Sequence, residues 1–207
     1  MDVNILAAGK AHASAVAYVG IEPDLQQCER FMSIMELAGN HNTRVETLNT
    51  DFERCTEQRR LDRVLMVHSL YYMEDPERAI DKALNLVNQS GRLIILIASN
   101  DTLNELSSSF WTMENGGSSW FSEDLSKHLE ERGVSFQRHR IEARLDITSC
   151  CAPESEQGSR IADFIAQVPL GELPPGLRAK IFSYLEATSH LDGDIRSLPH
   201  NVDAFVI

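Results

Sequence analysis

The sequence predicts an α/β fold, a parallel sheet with helices covering both faces. Three observations carry that expectation. Two runs, Val64-Leu65-Met66-Val67 and residues 93–98 (LIILIA), are apolar throughout, as strands buried on both faces are. Segments with helical periodicity stand between and around such runs, so strand and helix alternate. Strong helix starts punctuate the chain, Asp24 after Glu22-Pro23 and then Asp75-Pro76-Glu77.

Residues 2–16 are Ala-rich and are expected to be helical. Residues 17–22 read as a short buried strand. Residues 24–38 read as an amphipathic helix, with Leu25, Cys28, Phe31, Met32 and Met35 recurring on one face. Asp24 is its N-cap, Gln27 stands three residues on as in a capping box, and Gly39-Asn40 ends it. Residues 44–48 form a second strand candidate and residues 61–69 contain the third. Asp75 caps the next helix, where Ile80, Ala83, Leu84 and Val87 recur at helical spacing and Ser90-Gly91 is expected to close it. Strand 93–98 follows. Ser122-Glu123-Asp124 opens a helix through Leu125 and Leu129 to Gly133. Residues 134–147 read mostly as strand, helices follow near 157–167 and 175–187, and residues 203–207 form a last strand. No internal repeat, low-complexity tract or second domain stands out, so residues 1–207 are expected to form one domain. Segments 100–121 and 148–175 are richest in Ser, Gly, Asn and Pro. They are expected over the end of the sheet, where ligands bind.

Composition narrows the function. Net charge is −12, from 19 Lys+Arg against 31 Asp+Glu, which argues against DNA, RNA or an anionic membrane as partner. It suits a cationic small molecule. No apolar run approaches the roughly 20 residues of a membrane span, and the N-terminus lacks the pattern of a secretory signal. Cys28, Cys55, Cys150 and Cys151 form no Cys-x-x-Cys pair, and the seven His show no His-x-x-x-His spacing. Reduced thiols, no metal and a cytoplasmic, monomeric protein are the expectation.

The most telling stretch is Val19-Gly20-Ile21-Glu22-Pro23-Asp24. A strand ending in an acid, followed at once by a helix start, is how nucleotide-binding folds hold a ribose: the carboxylate accepts from the two hydroxyls. In such folds a strand and a glycine-rich turn come first. Only eighteen residues precede Val19, and they contain no Gly-x-Gly.

Three features together resemble the class I S-adenosylmethionine-dependent methyltransferases. They are Glu22, the segment Asn49-Thr50-Asp51-Phe52, and the run from Asp62 to Leu96 with its Asp75-Pro76 helix start and Ser90-Gly91-Arg92. A closer resemblance is to the histamine N-methyltransferase family. It is carried by Leu70-Tyr71-Tyr72 with Asp75, Leu145-Asp146-Ile147, Asp163-Phe164-Ile165, Pro174-Pro175-x-Leu177-Arg178-Ala179 and Asn201-x-x-x-Phe205, in order along nearly the whole chain. The resemblance implies a Rossmann-like class I methyltransferase sheet with S-adenosylmethionine as cofactor. It aligns the first residues with the helix that follows the family's glycine motif. The expectation is therefore an N-terminally truncated domain, lacking the first strand and glycine loop.

The resemblance also implies roles. Glu22 would bind the ribose, and Gln27 matches a cofactor contact, although it equally fits a capping box. Asp51 could accept from the adenine amino group, and Val67 matches the residue that packs on adenine. Tyr71 and Tyr72 would wall the acceptor site, where aromatic faces attract an ammonium. Asn201 matches the family's substrate-binding asparagine. His68 stands where the family has glutamine, and Leu103 and Ser107 fall about where it has pocket-lining tryptophans. Trp111 and Trp120 could compensate. A bulkier imidazole or another amine is thus as good an acceptor as histamine.

Methyl transfer from a sulfonium is a direct displacement, which explains why no catalytic triad or carboxylate dyad need occur, and none does. The expected function is N-methylation of a small amine or imidazole compound. The alternative is a truncated, non-catalytic relative that has lost cofactor binding. A short-chain dehydrogenase would fit Glu22 but needs Tyr-x-x-x-Lys, which is absent.

Overall fold

The computed structural model describes residues 15–38, 42–101, 103–106, 108, 120–151 and 155–207. The expected helix at 2–16 falls almost wholly outside them, as do Ser107 and Trp111. Internal contacts cluster in two compact units, Met1–Arg59 and Arg60–Ile207.

The first unit is built from β1 (Val16–Ile21), α1 (Leu25–Ala38) and β2 (Thr43–Leu48). The two strands pair in parallel, from Val16 opposite Thr43 to Ile21 opposite Leu48, with the helix as crossover. Cys28 and Met35 form the buried stripe of α1. Phe31 packs on the strand where Gly20 leaves room: a Cβ there would sit 3.2 Å from the ring. Leu25, expected on the same face, is exposed because it occupies the first helical position, ahead of the turns that meet the sheet. Asp24 caps the helix through Oδ1, which accepts from the Gln26 and Gln27 amides at 2.7 and 3.2 Å. The reciprocal half of the box comes from Glu22, whose Oε1 accepts the Asp24 amide at 3.0 Å, and Gln27 makes no such bond.

In the second unit β3 (Leu61–Val67), β4 (Val87–Ala98), β9 (Val202–Val206) and β5 (Gln137–Ile141) lie side by side in that order. Only β3 and β4 are parallel; β9 runs antiparallel to both β4 and β5. The sheet is therefore mixed, not parallel throughout. The reason is where β9 enters. The chain arrives at the carboxyl end of β4, where the Ser99 amide donates to the Asn201 carbonyl at 3.1 Å, so the strand must run back. The whole of β5 is exposed and carries Arg138 and Arg140, charges that suit an edge strand.

Helix α2 (Pro76–Leu86) starts as expected, with Asp75 accepting the Arg78 amide at 3.0 Å, and it buries Ile80 and Ala83. It does not run to Ser90-Gly91. Val87 is already extended, and Val87–Ser90 belong to β4. Gly91 serves a different purpose from a helix stop. A Cβ there would meet Val87 Cγ1 at 2.6 Å and the Leu61 and Asp62 carbonyls at 2.9 Å, beside a register shift in the β3–β4 pairing. Leu93, Ile95 and Ile97 are wholly buried. Helix α3 (Ser122–Glu131) follows, and Gly133 just beyond it has φ +66°.

A second core lies between α4 (Glu156–Ala166), α5 (Pro175–Thr188) and an antiparallel sheet ordered β6 (Arg144–Asp146), β8 (Ile195–Pro199), β7 (His190–Asp192). Ile147, Ala162, Ile165, Ile181, Leu185 and Leu198 fill it. The β7–β8 hairpin is additional to the expected elements, and its signal is local: Asp192 opposite Ile195 leaves Gly193-Asp194 as a two-residue loop, with Gly193 at φ +59°. Among the described residues no helix is long and apolar enough to cross a membrane.

Candidate functional site

Within the first unit the structure places Glu22 directly after β1, half-buried, with one carboxylate oxygen on the Asp24 amide. Asn49, after β2, fixes this exit: its Nδ2 donates to the Glu22 and Pro23 carbonyls at 3.1 and 2.8 Å. Asp51 lies two residues further on and pairs with Arg54 at 3.2 Å. Gln27 is exposed on α1. An acid at the carboxyl end of a parallel strand, with its turn pinned from the neighbouring strand, fits a ribose.

In the second unit the expected residues converge on the carboxyl end of β3 and β4. Val67 closes β3, paired with Leu96. His68 follows in the left-handed region at φ +49°, its amide still donating to the Leu96 carbonyl at 2.9 Å. That turn brings its ring over Tyr71, centroids 6.1 Å apart and nearly parallel. The Tyr71 hydroxyl accepts the Ala98 amide at 2.5 Å and lies 3.2 Å from His68 Nδ1. The contact can run either way: the hydroxyl can donate to Nδ1, which leaves the His68 proton on Nε2, or accept from an Nδ1–H. Burial, and then the nearby His200, lower the His68 pKa and favour a neutral ring. Burial, reinforced by Tyr72, pushes the Tyr71 phenol up to about 12 against the Ala98 hydrogen bond, so it stays protonated at neutral pH. Tyr72 stands edge-on to Tyr71 and is 77% exposed.

Asn201 joins this group through the β4 exit. Its carbonyl accepts from Ser99, and its amide donates to Asp101 Oδ2 at 3.2 Å. Leu103, aligned with a pocket tryptophan, is instead buried in the second core. Trp120 packs on His128, ring centroids 5.9 Å apart. Ser99, Asp101 and His200 were not singled out in the sequence. The proximity of Ser99 and Asp101 to Asn201 comes from a contact spanning about a hundred residues, for which no local pattern exists, whereas His200 is simply its neighbour in sequence.

Close by, Asp203 is fully buried and holds the edge strand to the sheet. It accepts from Ser122 Oγ at 2.7 Å, Arg138 at 2.6 Å and Arg140 at 3.0 Å. Burial alone would raise its carboxyl. Those hydrogen bonds outweigh it and hold the pKa well below the usual carboxylate range. Glu123 extends the network to the Asn100 amide at 2.9 Å.

The parallel pair with its crossover helix in the first unit and the mixed sheet with helices in the second give an α/β fold of the class I methyltransferase kind. Solved structures agree: the YcgJ protein of Bacillus subtilis superposes with a TM-score of 0.60 at 12% identity, covering 99% of this chain and 97% of that one. A mycolic acid cyclopropane synthase complexed with S-adenosylhomocysteine gives 0.53 at 13%, covering 98% and 72%. In sequence the chain resembles the histamine N-methyltransferases. It is 24% identical to that of Cavia porcellus over 205 residues, which is 90% of this chain and 69% of that protein. It is 23% identical to that of Danio rerio over 173 residues, 73% and 55%. The match to the Danio rerio protein thus spans about half of that relative's length. Carnosine N-methyltransferase 2 of Gallus gallus is 23% identical over 195 residues, 84% and 60%. No family model matches the chain.

Proposed function

We propose that the protein is an S-adenosylmethionine-dependent N-methyltransferase of a small amine or imidazole compound. The observation that carries this reading is the His68–Tyr71–Ala98 junction at the carboxyl end of β3 and β4. In its Nε2–H tautomer His68 offers an acceptor on one side and a donor on the other. A glutamine amide, the family's residue here, offers the same pair. The ring donor faces a hydrogen-bond acceptor on the substrate, Tyr71 and Tyr72 supply aromatic surface, and Asn201 supplies a side-chain amide.

In the first unit, Glu22 would hold the ribose of the cofactor, with Asp51 and Gln27 as further contacts. When bound, S-adenosylmethionine supplies a methyl group already activated on a sulfonium. The chain's own task is then to hold a neutral nitrogen in line and exclude water, an orientation worth roughly 7–11 kcal/mol. An imidazole with a pKa near 6.5 is mostly neutral at pH 7, so no strong base is needed. His68 cannot easily serve as one, since Tyr71 occupies its Nδ1.

Calorimetric titration with S-adenosylmethionine, followed by labelled methyl transfer to histamine, carnosine and simple amines, tests the reading. Micromolar cofactor binding and transfer to at least one of them are expected. No cofactor binding sinks the proposal. Binding by itself excludes the alternative that has lost the cofactor, and binding without transfer to any amine overturns the proposed acceptor class.

A further inference from the structure

We propose that Asn49 is a positioning residue for the cofactor, acting through Glu22 to set that carboxylate for the ribose hydroxyls; this rests on the methyltransferase reading and deepens it. The β1–β2 ladder ends where Ile21 faces Leu48, and the Glu22 amide donates to the Leu48 carbonyl at 3.1 Å. Pro23 has no N–H to continue it. The Glu22 and Pro23 carbonyls therefore lie beyond the last rung, and Asn49 takes both. Its Nδ2 donates to the Glu22 carbonyl at 3.1 Å and to the Pro23 carbonyl at 2.8 Å. Both partners only accept, so the side-chain amide must turn its NH2 group to them. The buried Cys28 thiol adds a weaker bond to the same Glu22 carbonyl at 3.3 Å.

These ties fix the backbone from which the Glu22 side chain leaves. The side chain is fixed in turn, since Oε1 accepts the Asp24 amide at 3.0 Å and Asp24 is itself held as the cap of α1. Among the described residues nothing is hydrogen-bonded to Oε2. A carboxylate with one oxygen anchored and the other open offers that oxygen at a set place, which recognition of a ribose hydroxyl needs. Asn49 is exposed, so water can replace its bonds to the two carbonyls, and its loss should cost the fold little. What its loss frees is the Glu22-Pro23 turn. A hydrogen bond to the ligand weakens steeply as its length and angle depart from the optimum.

Calorimetry with S-adenosylhomocysteine and its 2′-deoxy analogue tests this without turnover. The two ligands differ by one hydroxyl, so the ratio of their affinities reads the hydrogen bond to the ribose. Wild type should prefer the intact ribose by about tenfold or more, as for a hydrogen bond to a charged group. In Glu22→Ala the preference should vanish. In Asn49→Ala, and in Asn49→Leu, which is close in shape but has no donor, it should fall to about threefold or less while affinity for the 2′-deoxy ligand is kept. Adding Asn49→Ala to Glu22→Ala should change neither affinity, because nothing is left to position. A merely structural role would weaken both ligands alike in either background. A preference unchanged in the two Asn49 variants overturns the inference, and so does an Asn49 effect that persists in Glu22→Ala. Wild type that binds both ligands equally overturns it too, even if the variants do not fold, and leaves the methyltransferase reading standing. Wild type that binds neither ligand overturns both.

Discussion

At His68 the backbone holds a left-handed conformation that costs a non-glycine residue about 1 kcal/mol or more. The return is a ring laid over Tyr71, with its Nδ1 on the hydroxyl. If the ring acts as an amide equivalent, His68→Gln should keep the KM for the amine acceptor within about threefold. His68→Phe, which keeps the aromatic surface and loses both polar atoms, should raise it by about tenfold, as expected for one lost hydrogen bond in the site. Steady-state methyl transfer measures both, and a tolerated phenylalanine would discredit the hydrogen-bonding role. Tyr71→Phe is a stability test as much as a functional one. It leaves the Ala98 amide in a buried strand end without its acceptor, which should cost about 1–3 kcal/mol in urea unfolding.

At the scale of elements, two glycines near helix starts should respond to the same substitution with opposite sign. Gly158 sits in the first turn of α4, where a Cβ would lie 2.1 Å from the Ser149 carbonyl oxygen and 2.9 Å from the Cys150 amide. Backbone cannot move aside cheaply, so Gly158→Ala should destabilise by about 1–3 kcal/mol or more. Gly176, in the first turn of α5, meets nothing within 4 Å, and Gly176→Ala should stabilise by about 0.4–1 kcal/mol. Thermal or urea melts of the pair decide it. The contrast also marks what the sequence could disclose. Caps such as Asp24 and Asp75, and apolar runs such as residues 93–98, are local and were legible. The Asp192-Gly193-Asp194 hairpin signal is equally local. Gly91 misled, because Ser-Gly after a helical pattern usually ends a helix, and only the approach of the Leu61 and Asp62 carbonyls reveals its use. The direction of β9, the burial of Leu103 and the meeting of Asp101 with Asn201 are tertiary facts with no trace in any short window.

For the whole molecule, two electrostatic effects of opposite sign should shape stability against pH. Near neutrality the chain carries a net −12 and repels itself. Acidifying toward its isoelectric point near 5.0 relieves that repulsion and should raise stability or hold it level. Below that range Asp203 takes over. Its folded pKa is held below the unfolded value of about 3.9, so the unfolded chain binds the proton more readily. The stabilisation from its bonds to Arg138, Arg140 and Ser122 is therefore complete above about pH 4 and is lost as pH falls through the folded value. The loss should be felt at β5, whose Arg138 and Arg140 reinforce its backbone pairing with β9 through the buried carboxylate. Urea midpoints across pH 7 to 3 should trace a plateau or rise and then a steep fall. Asp203→Asn should sit about 2 kcal/mol lower at pH 7 and fall less steeply below pH 4, because it has no such proton to gain. A variant curve parallel to the wild type through that acid limb would show that other carboxylates, and not this buried one, govern acid unfolding.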